Sequence, residues 1–231
     1  MKPFLAFRPP LKTRGVAFIG AEAPSPALCK AEACGAAIIC AADSGLITLE
    51  NAGLKPHFIA GDMDSLAEED SQNGQNGRLL SRLEKYDPSI IYKHPCDKDL
   101  TDTEIVVNEL LQRGCTHITL IGGGGGKRGD HFLAICKMFE RKISPQKWLT
   151  KNETIYKINK GKQTIMNKEG GIVSVFPLTH FCRALSTGLK WELDDIKWKK
   201  GSFGISNVCT GNSFTIDVRK GSFLVFVENH Y

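Results

Sequence analysis

The apolar rhythm of this chain changes near residue 145, and no single repeating architecture fits both sides of the change. Before it, short apolar runs at 16–20, 37–42, 58–60, 90–92 and 117–121 alternate with stretches of helical spacing. Each run is short and punctuated by Gly, Pro or Asp, the pattern of a buried strand. The clearest helix opens at Thr101, an N-cap with Glu104 three residues on, which is the capping-box arrangement. Val106 with Leu110 and Val107 with Leu111 are i,i+4 apolar pairs on it, and Gly114 is its stop. A second helix is predicted over 130–141, with Phe132, Ile135, Cys136 and Phe139 on one face. Strands alternating with helices predict an α/β domain, a mainly parallel sheet flanked by helices. From Thr154 onward helical spacing is absent. Runs at 154–158, 163–166, 172–176, 213–218 and 223–227, separated by glycines, predict a smaller all-β sandwich. The expected domains are therefore 1–145 and 146–231, joined around Pro145.

Composition narrows the function classes. Thirty basic and 25 acidic residues leave a formal charge of +5, with the basic residues spread through the chain. No dense basic run interleaved with aromatics is present, so a nucleic-acid partner is not expected. No run of about 18 apolar residues occurs, so no membrane span is expected. The apolar stretch at 4–7 is too short for a signal peptide. None of the eight cysteines forms a C-x-x-C pair, and several lie in apolar runs. Reduced thiols and a cytoplasmic location are the expectation.

Acidic residues gather at the ends of the predicted strands. Asp43 lies in ADSG, Asp62 and Asp64 in GDMDS, Asp99, Asp102 and Glu104 in KDLTDTE, and Asp130 in KRGDH. Carboxylates that converge repel one another and require a cation, and magnesium with a polyphosphate is the usual reason to gather them. Asp62 and Asp64 are two apart, so in an extended segment both point the same way. Asp102 begins the helix, while Thr101 and Glu104 are accounted for as its cap; Lys98 beside them is a candidate for phosphate oxygens. The run GGGGGKRGDH follows a strand and leads into a helix, where backbone amides and the helix dipole attract phosphate. It is not a Walker A loop, because Ile121 and Arg128 stand where that pattern needs Gly and Ser or Thr.

Taken in order, ADSG, GDMDS, KDLTDTE and GGGGGKRGDH resemble the thiamin pyrophosphokinase family, and GLKWEL (188–193) and SFGISN (202–207) extend the resemblance into the β half. The resemblance implies an α/β ATP-binding domain followed by a β-sandwich that binds thiamine and forms a homodimer. It implies transfer of the diphosphate of ATP to the hydroxyl of thiamine, with release of AMP. Carried over by position, Asp62, Asp64 and Asp102 correspond to the magnesium ligands, with Thr101 and Asp99 nearby. Asp43, Lys98, Thr101 and Arg128 are then the ATP-side residues, and Asp64, Asp102, Arg128 and Asp130 the catalytic set. Asp130, Trp191, Ser206 and Asn207 are implied to hold thiamine, although Trp191 reads equally well as a core residue. This chain departs from the family pattern at Ser44 (usually Gly), Lys127 (Gly) and Gly204 (Ser). The departures keep two alternatives open: a pyrophosphokinase for another hydroxymethyl heterocycle such as a pterin, or a nucleotide- or thiamine-binding protein without turnover. Either Asp64 or Asp130 is a candidate general base.

Overall fold

The computed structural model describes residues 13–63, 82–95, 97, 99–126 and 128–230. The first half runs β1 (Arg14–Phe18), α1 (Pro26–Ala33), β2 (Ile38–Ala42), α2 (Gly45–Asn51), β3 (Phe58–Gly61), β4 (Ile91–Lys93), α3 (Asp102–Gln112), β5 (His117–Ile121), α4 (Gly129–Met138) and β6 (Lys147–Leu149). These six strands pair in parallel in the order β6-β5-β1-β2-β3-β4. The helices cover both faces, and side-chain alternation along β1 shows how. Val16 and Phe18 join the core beneath α1 and α2, whereas Ala17 and Ile19 join the core beneath α3 and α4. That two-sided burial is why the strands read as unbroken apolar runs.

The second half is antiparallel. It comprises β7 (Glu153–Ile158), β8 (Gly161–Met166), β9 (Ile172–Pro177), β10 (Phe181–Thr187), β11 (Trp198–Lys199), β12 (Gly204–Val208), β13 (Ser213–Lys220) and β14 (Phe223–Glu228). Four of these strands extend the parallel sheet in the order β12-β9-β14-β7, with β7 antiparallel to β6. The result is one ten-stranded sheet crossing both halves, with a separate sheet β11-β10-β13-β8. The two sheets enclose a common core in which Val173, Val175, Phe223 and Val225 meet Ala184, Phe214, Ile216 and Val218. Lys147–Leu149 is the last strand of the parallel set, so that set ends after the boundary expected at residue 145.

The sheet order reverses between β1 and β5. In open α/β sheets the crevice at such a reversal, outside the carboxyl ends of the strands, is where ligands bind. No helix among the described residues is long and apolar enough to cross a membrane.

Candidate active site

Three carboxylates converge at the carboxyl edge of the parallel sheet. Asp43 follows β2, Asp62 follows β3 and Asp102 is the first residue of α3; each offers an oxygen, and these lie within 4.8 Å of one another. Asp43 is buried and the other two are half-buried. At that spacing two full charges repel by on the order of 3 kcal/mol for an effective dielectric near 20. The backbone is shaped to hold them. Asp43 (φ 48°) and Met63 (φ 69°), the neighbour of Asp62, are both in the left-handed region, which non-glycine residues rarely adopt. Between them Gly61 has φ 149°, and a Cβ there would sit 3.2 Å from Asp102 Oδ1 and 3.2 Å from Asp43 Cβ. Glycine at 61 thus lets two strand ends and the start of α3 close on one point.

The structure brings Asp62 and Asp102 together, and Asp43, read above as a nucleotide-side residue, belongs to the same group. Asp64, Lys98 and Lys127 lie outside the described residues. Thr101 and Glu104 form the capping box: the Thr101 amide donates to Glu104 Oε2 at 2.9 Å, and the Glu104 amide donates to Thr101 Oγ1 at 3.2 Å. Asp99, in the same loop, is exposed.

The glycine run leaves β5 at the sheet reversal. Gly122 has φ 100°, and a Cβ there would meet the Ile19 carbonyl oxygen at 2.3 Å. The Gly122 amide donates to Leu149 O at 2.9 Å, and its carbonyl accepts from the Trp148 indole at 2.6 Å. Trp148 is fully buried, stacked on Phe139 and tilted against Phe132 of α4, so the loop is pinned to the core at its first residue. Sequence reading missed Trp148 and Gly61, because nothing local marks a core tryptophan as a loop anchor or a strand glycine as a cradle.

At the start of α4, Arg128 and Asp130 form an exposed ion pair at 2.7 Å. The hydrogen bonds from Arg128 hold the Asp130 carboxyl down at about 2. A carboxylate so weakly basic is poorly matched to accept a proton near neutral pH.

In the β half, Trp191, Ser206 and Asn207 come together at the outer edge of the long sheet. The Trp191 amide donates to Asn207 Oδ1 at 3.2 Å, and Asn207 Nδ2 donates to the Trp191 carbonyl at 2.6 Å. Asn207 is buried, but the Trp191 side chain is 55% exposed, which excludes the core-packing reading. Lys190 Nζ lies 4.6 Å from its ring centroid. Ser206 is exposed on β12 with φ 59°, another non-glycine residue in the left-handed region.

The chain matches the family model described as thiamin pyrophosphokinase, catalytic domain, over residues 30–148, and the one described as thiamin pyrophosphokinase, vitamin B1 binding domain, over 156–223. This chain belongs to the thiamin pyrophosphokinase family. A thiamine pyrophosphokinase of Bacillus subtilis is 26% identical over 189 residues, covering 79% of this chain and 83% of that one. A solved thiamine pyrophosphokinase structure from the same organism superposes with a TM-score of 0.75 at 22% identity, covering 95% of this chain and 100% of that one. The yeast thiamin pyrophosphokinase structure gives 0.67 at 16% identity, covering 94% and 86%. The mixed sheet and the second antiparallel sheet are therefore the thiamin pyrophosphokinase fold.

Two departures from the family pattern acquire physical reasons. Ser44 is buried, and its hydroxyl lies 2.5 Å from where a Cβ on Gly20 would stand, so a glycine on β1's exit makes room for it. At Gly204 a Cβ would come 3.0 Å from Trp198 Cη2, a contact that the large indole beneath β12 forbids without adjustment.

Proposed function

We propose that this protein transfers the diphosphate of ATP to the hydroxyl of thiamine, releasing AMP and thiamine diphosphate, in a magnesium-dependent reaction. The observation that carries the reading is the convergence of Asp43, Asp62 and Asp102 at the same sheet edge as the glycine loop, with Asp43 at the end of β2 two strand spacings, about 10 Å, from β5. An all-oxygen set of hard donors fits magnesium rather than zinc or copper. Asp43, Asp62 and Asp102, with Asp64, would hold the ion. When bound it supplies charge neutralisation for the carboxylates and for the phosphates beside them.

The remaining work falls to the chain. Backbone amides of the glycine loop and the amino end of α4 bind phosphate oxygens, with Lys98 and Arg128 adding positive charge. Asp130 orients Arg128; its low pKa supports a positioning role and not that of general base. The thiamine oxygen bonds to the β-phosphorus as its proton passes to solvent, and the bond from that phosphorus to the AMP oxygen breaks with its electron pair leaving on AMP. Catalysis by positioning and electrostatics suits direct transfer to the thiamine oxygen, with the clustered carboxylates committed to the ion. Thiamine carries a cationic ring, and the exposed face of Trp191, which already attracts the Lys190 ammonium, suits such a cation.

The two ends of this reaction are far apart in one chain. β12, with Ser206 and Asn207, is eight strand spacings from β3, with Asp62, about 38 Å across the sheet. That separation supports a homodimer in which the β half of one copy completes the carboxylate site of the other. Free thiols at every described cysteine support a cytoplasmic enzyme. Incubation with ATP, magnesium and thiamine tests the reaction: equimolar thiamine diphosphate and AMP are expected. Absence of both beside an active control refutes it, and a panel of hydroxymethyl heterocycles defines the acceptor.

A further inference from the structure

The glycine run is flanked by two segments distant in sequence. β5 lies between β1 and β6, so the loop that leaves it passes between the connection from β1 to α1, residues 19–25, and the turn from β6 to β7, residues 150–152. Both segments touch it. A Cβ on Gly124 would stand 2.1 Å from Thr150 Cβ, and one on Gly125 would stand 3.3 Å from Glu22 Cδ and Oε2. Ala21, beside Glu22, has φ 74°, a left-handed non-glycine conformation of the kind that gathers at functional sites. The two segments are joined by an ion pair, with Lys151 Nζ 3.2 Å from Glu22 Oε2. Contacts of 3.2 and 3.3 Å therefore connect the Lys151 ammonium to the glycine run. Neither Glu22 nor Lys151 lies in a motif that carries the family resemblance.

Glu22 sets a carboxylate against the loop that binds phosphate in the proposed reaction. Carboxylate and phosphate have the same sign, so Glu22 by itself opposes the nucleotide. The paired ammonium cancels that opposition, but the two side chains are 56% and 46% exposed, and a pair so exposed is weak. A phosphate chain carries more charge than one carboxylate and offers several acceptors, so it competes with Glu22 for Lys151. The lysine can answer without moving the backbone. Its ammonium is a compact charge on a flexible stem. The turn beneath it is fixed, because the Thr150 amide and hydroxyl both donate to Glu153 O at 2.9 Å and the Thr150 carbonyl accepts from Asn229 Nδ2 at 3.1 Å.

We propose that Lys151 is a further ATP-binding residue, held ready by Glu22 and passed to a phosphate oxygen when the nucleotide enters the glycine loop. The proposal rests on the diphosphate-transfer reading, which puts phosphates at that loop. It gives the two partners opposite signs. Lys151 adds to ATP affinity, whereas Glu22 subtracts from it as the competing acceptor. A pair that only braces the loop gives both partners the same sign.

The test is calorimetric titration of the full chain with magnesium ATP, alongside KM for ATP and for thiamine. Lys151→Met should weaken ATP binding about tenfold, and Lys151→Arg should keep most of the affinity. Glu22→Gln, which removes only the charge, should tighten ATP binding by about threefold. The KM for thiamine should stay at the wild-type value in all three. Both side chains are half exposed, so wild-type melting temperatures are expected and report that the variants are folded. Weaker or unchanged ATP binding in Glu22→Gln overturns the proposal, and so does unchanged binding in folded Lys151→Met. Wild-type protein that binds no ATP refutes the diphosphate-transfer reading and this proposal with it. Wild-type protein that binds ATP while both variants move in the same direction refutes this proposal alone.

Discussion

At the scale of single residues, the site is made by positions that accept a conformational or electrostatic penalty. Asp43 is the clearest, being buried, left-handed in φ and within 4.8 Å of two other carboxylates. Asn tolerates the left-handed region as readily and carries no charge, so Asp43→Asn isolates the electrostatic part. In EDTA the variant should melt higher than wild type, by about 2–4 °C for each kcal/mol of repulsion relieved. Its magnesium-induced rise in melting temperature should shrink at the same time. A lower melting point with an undiminished magnesium effect removes Asp43 from the metal set. Gly204 is the counterpart in the β half: Gly204→Ser should destabilise by about 1–3 kcal/mol through pressure on Trp198, read as a lowered denaturant midpoint.

At the scale of elements, α3 and the glycine loop are each tied to a distant partner through a side-chain hydrogen bond. Burial raises the Glu104 pKa, but hydrogen bonds from Arg141 and from the Thr101 backbone and side chain outweigh it and leave it below the ordinary carboxylate value. Arg141 follows α4, so Glu104 also couples the two helices on that face. A depressed carboxylate stabilises the fold above its unfolded pKa of about 4.3, and that stabilisation is lost as pH falls through the folded pKa. Glu104→Gln should therefore cost about 1 kcal/mol at pH 7, a difference from wild type that fades in acid. Equal costs at neutral and acid pH assign the effect to packing instead. For the loop, Trp148→Phe keeps the ring against Phe132 and Phe139 but removes the donor to Gly122. A loss of about 1–3 kcal/mol is expected for the buried carbonyl left behind, with a raised KM for ATP and little change in that for thiamine.

At the scale of the whole molecule, the ten-stranded sheet sets β12 eight strands from β3, and the proposed reaction would then draw on residues from two copies of the chain. Complementation tests this directly. Asp62→Ala and Trp191→Ala are each expected to be nearly inactive, since one lacks the metal side and the other the acceptor side. Co-refolded in equal amounts, half of the dimers are mixed, and each mixed dimer has one site built wholly from intact residues. Activity should recover to about a quarter of wild type if sites are shared across a two-fold interface. No recovery by a mixture shown to contain mixed dimers rejects the shared site.

The periodic elements were legible because their signals are local. Five parallel strands, the capping box at Thr101 and Glu104, and the change to antiparallel structure all follow from patterns within about ten residues. α1 and α2 were not read, because they are short and neither has a run of clear i,i+4 apolar pairs; contacts with the sheet hold them. The acidic motifs marked the carboxyl edge, yet the sequence grouped Asp62 with Asp64 and set Asp43 apart. Which carboxylates meet depends on strand order, and β2 and β3 become neighbours only when the sheet assembles. The same is true of the ten-stranded sheet, whose two halves join only where β6 meets β7. Local free energy settles where strands and helices begin and end; long-range pairing alone decides which of their ends share a site.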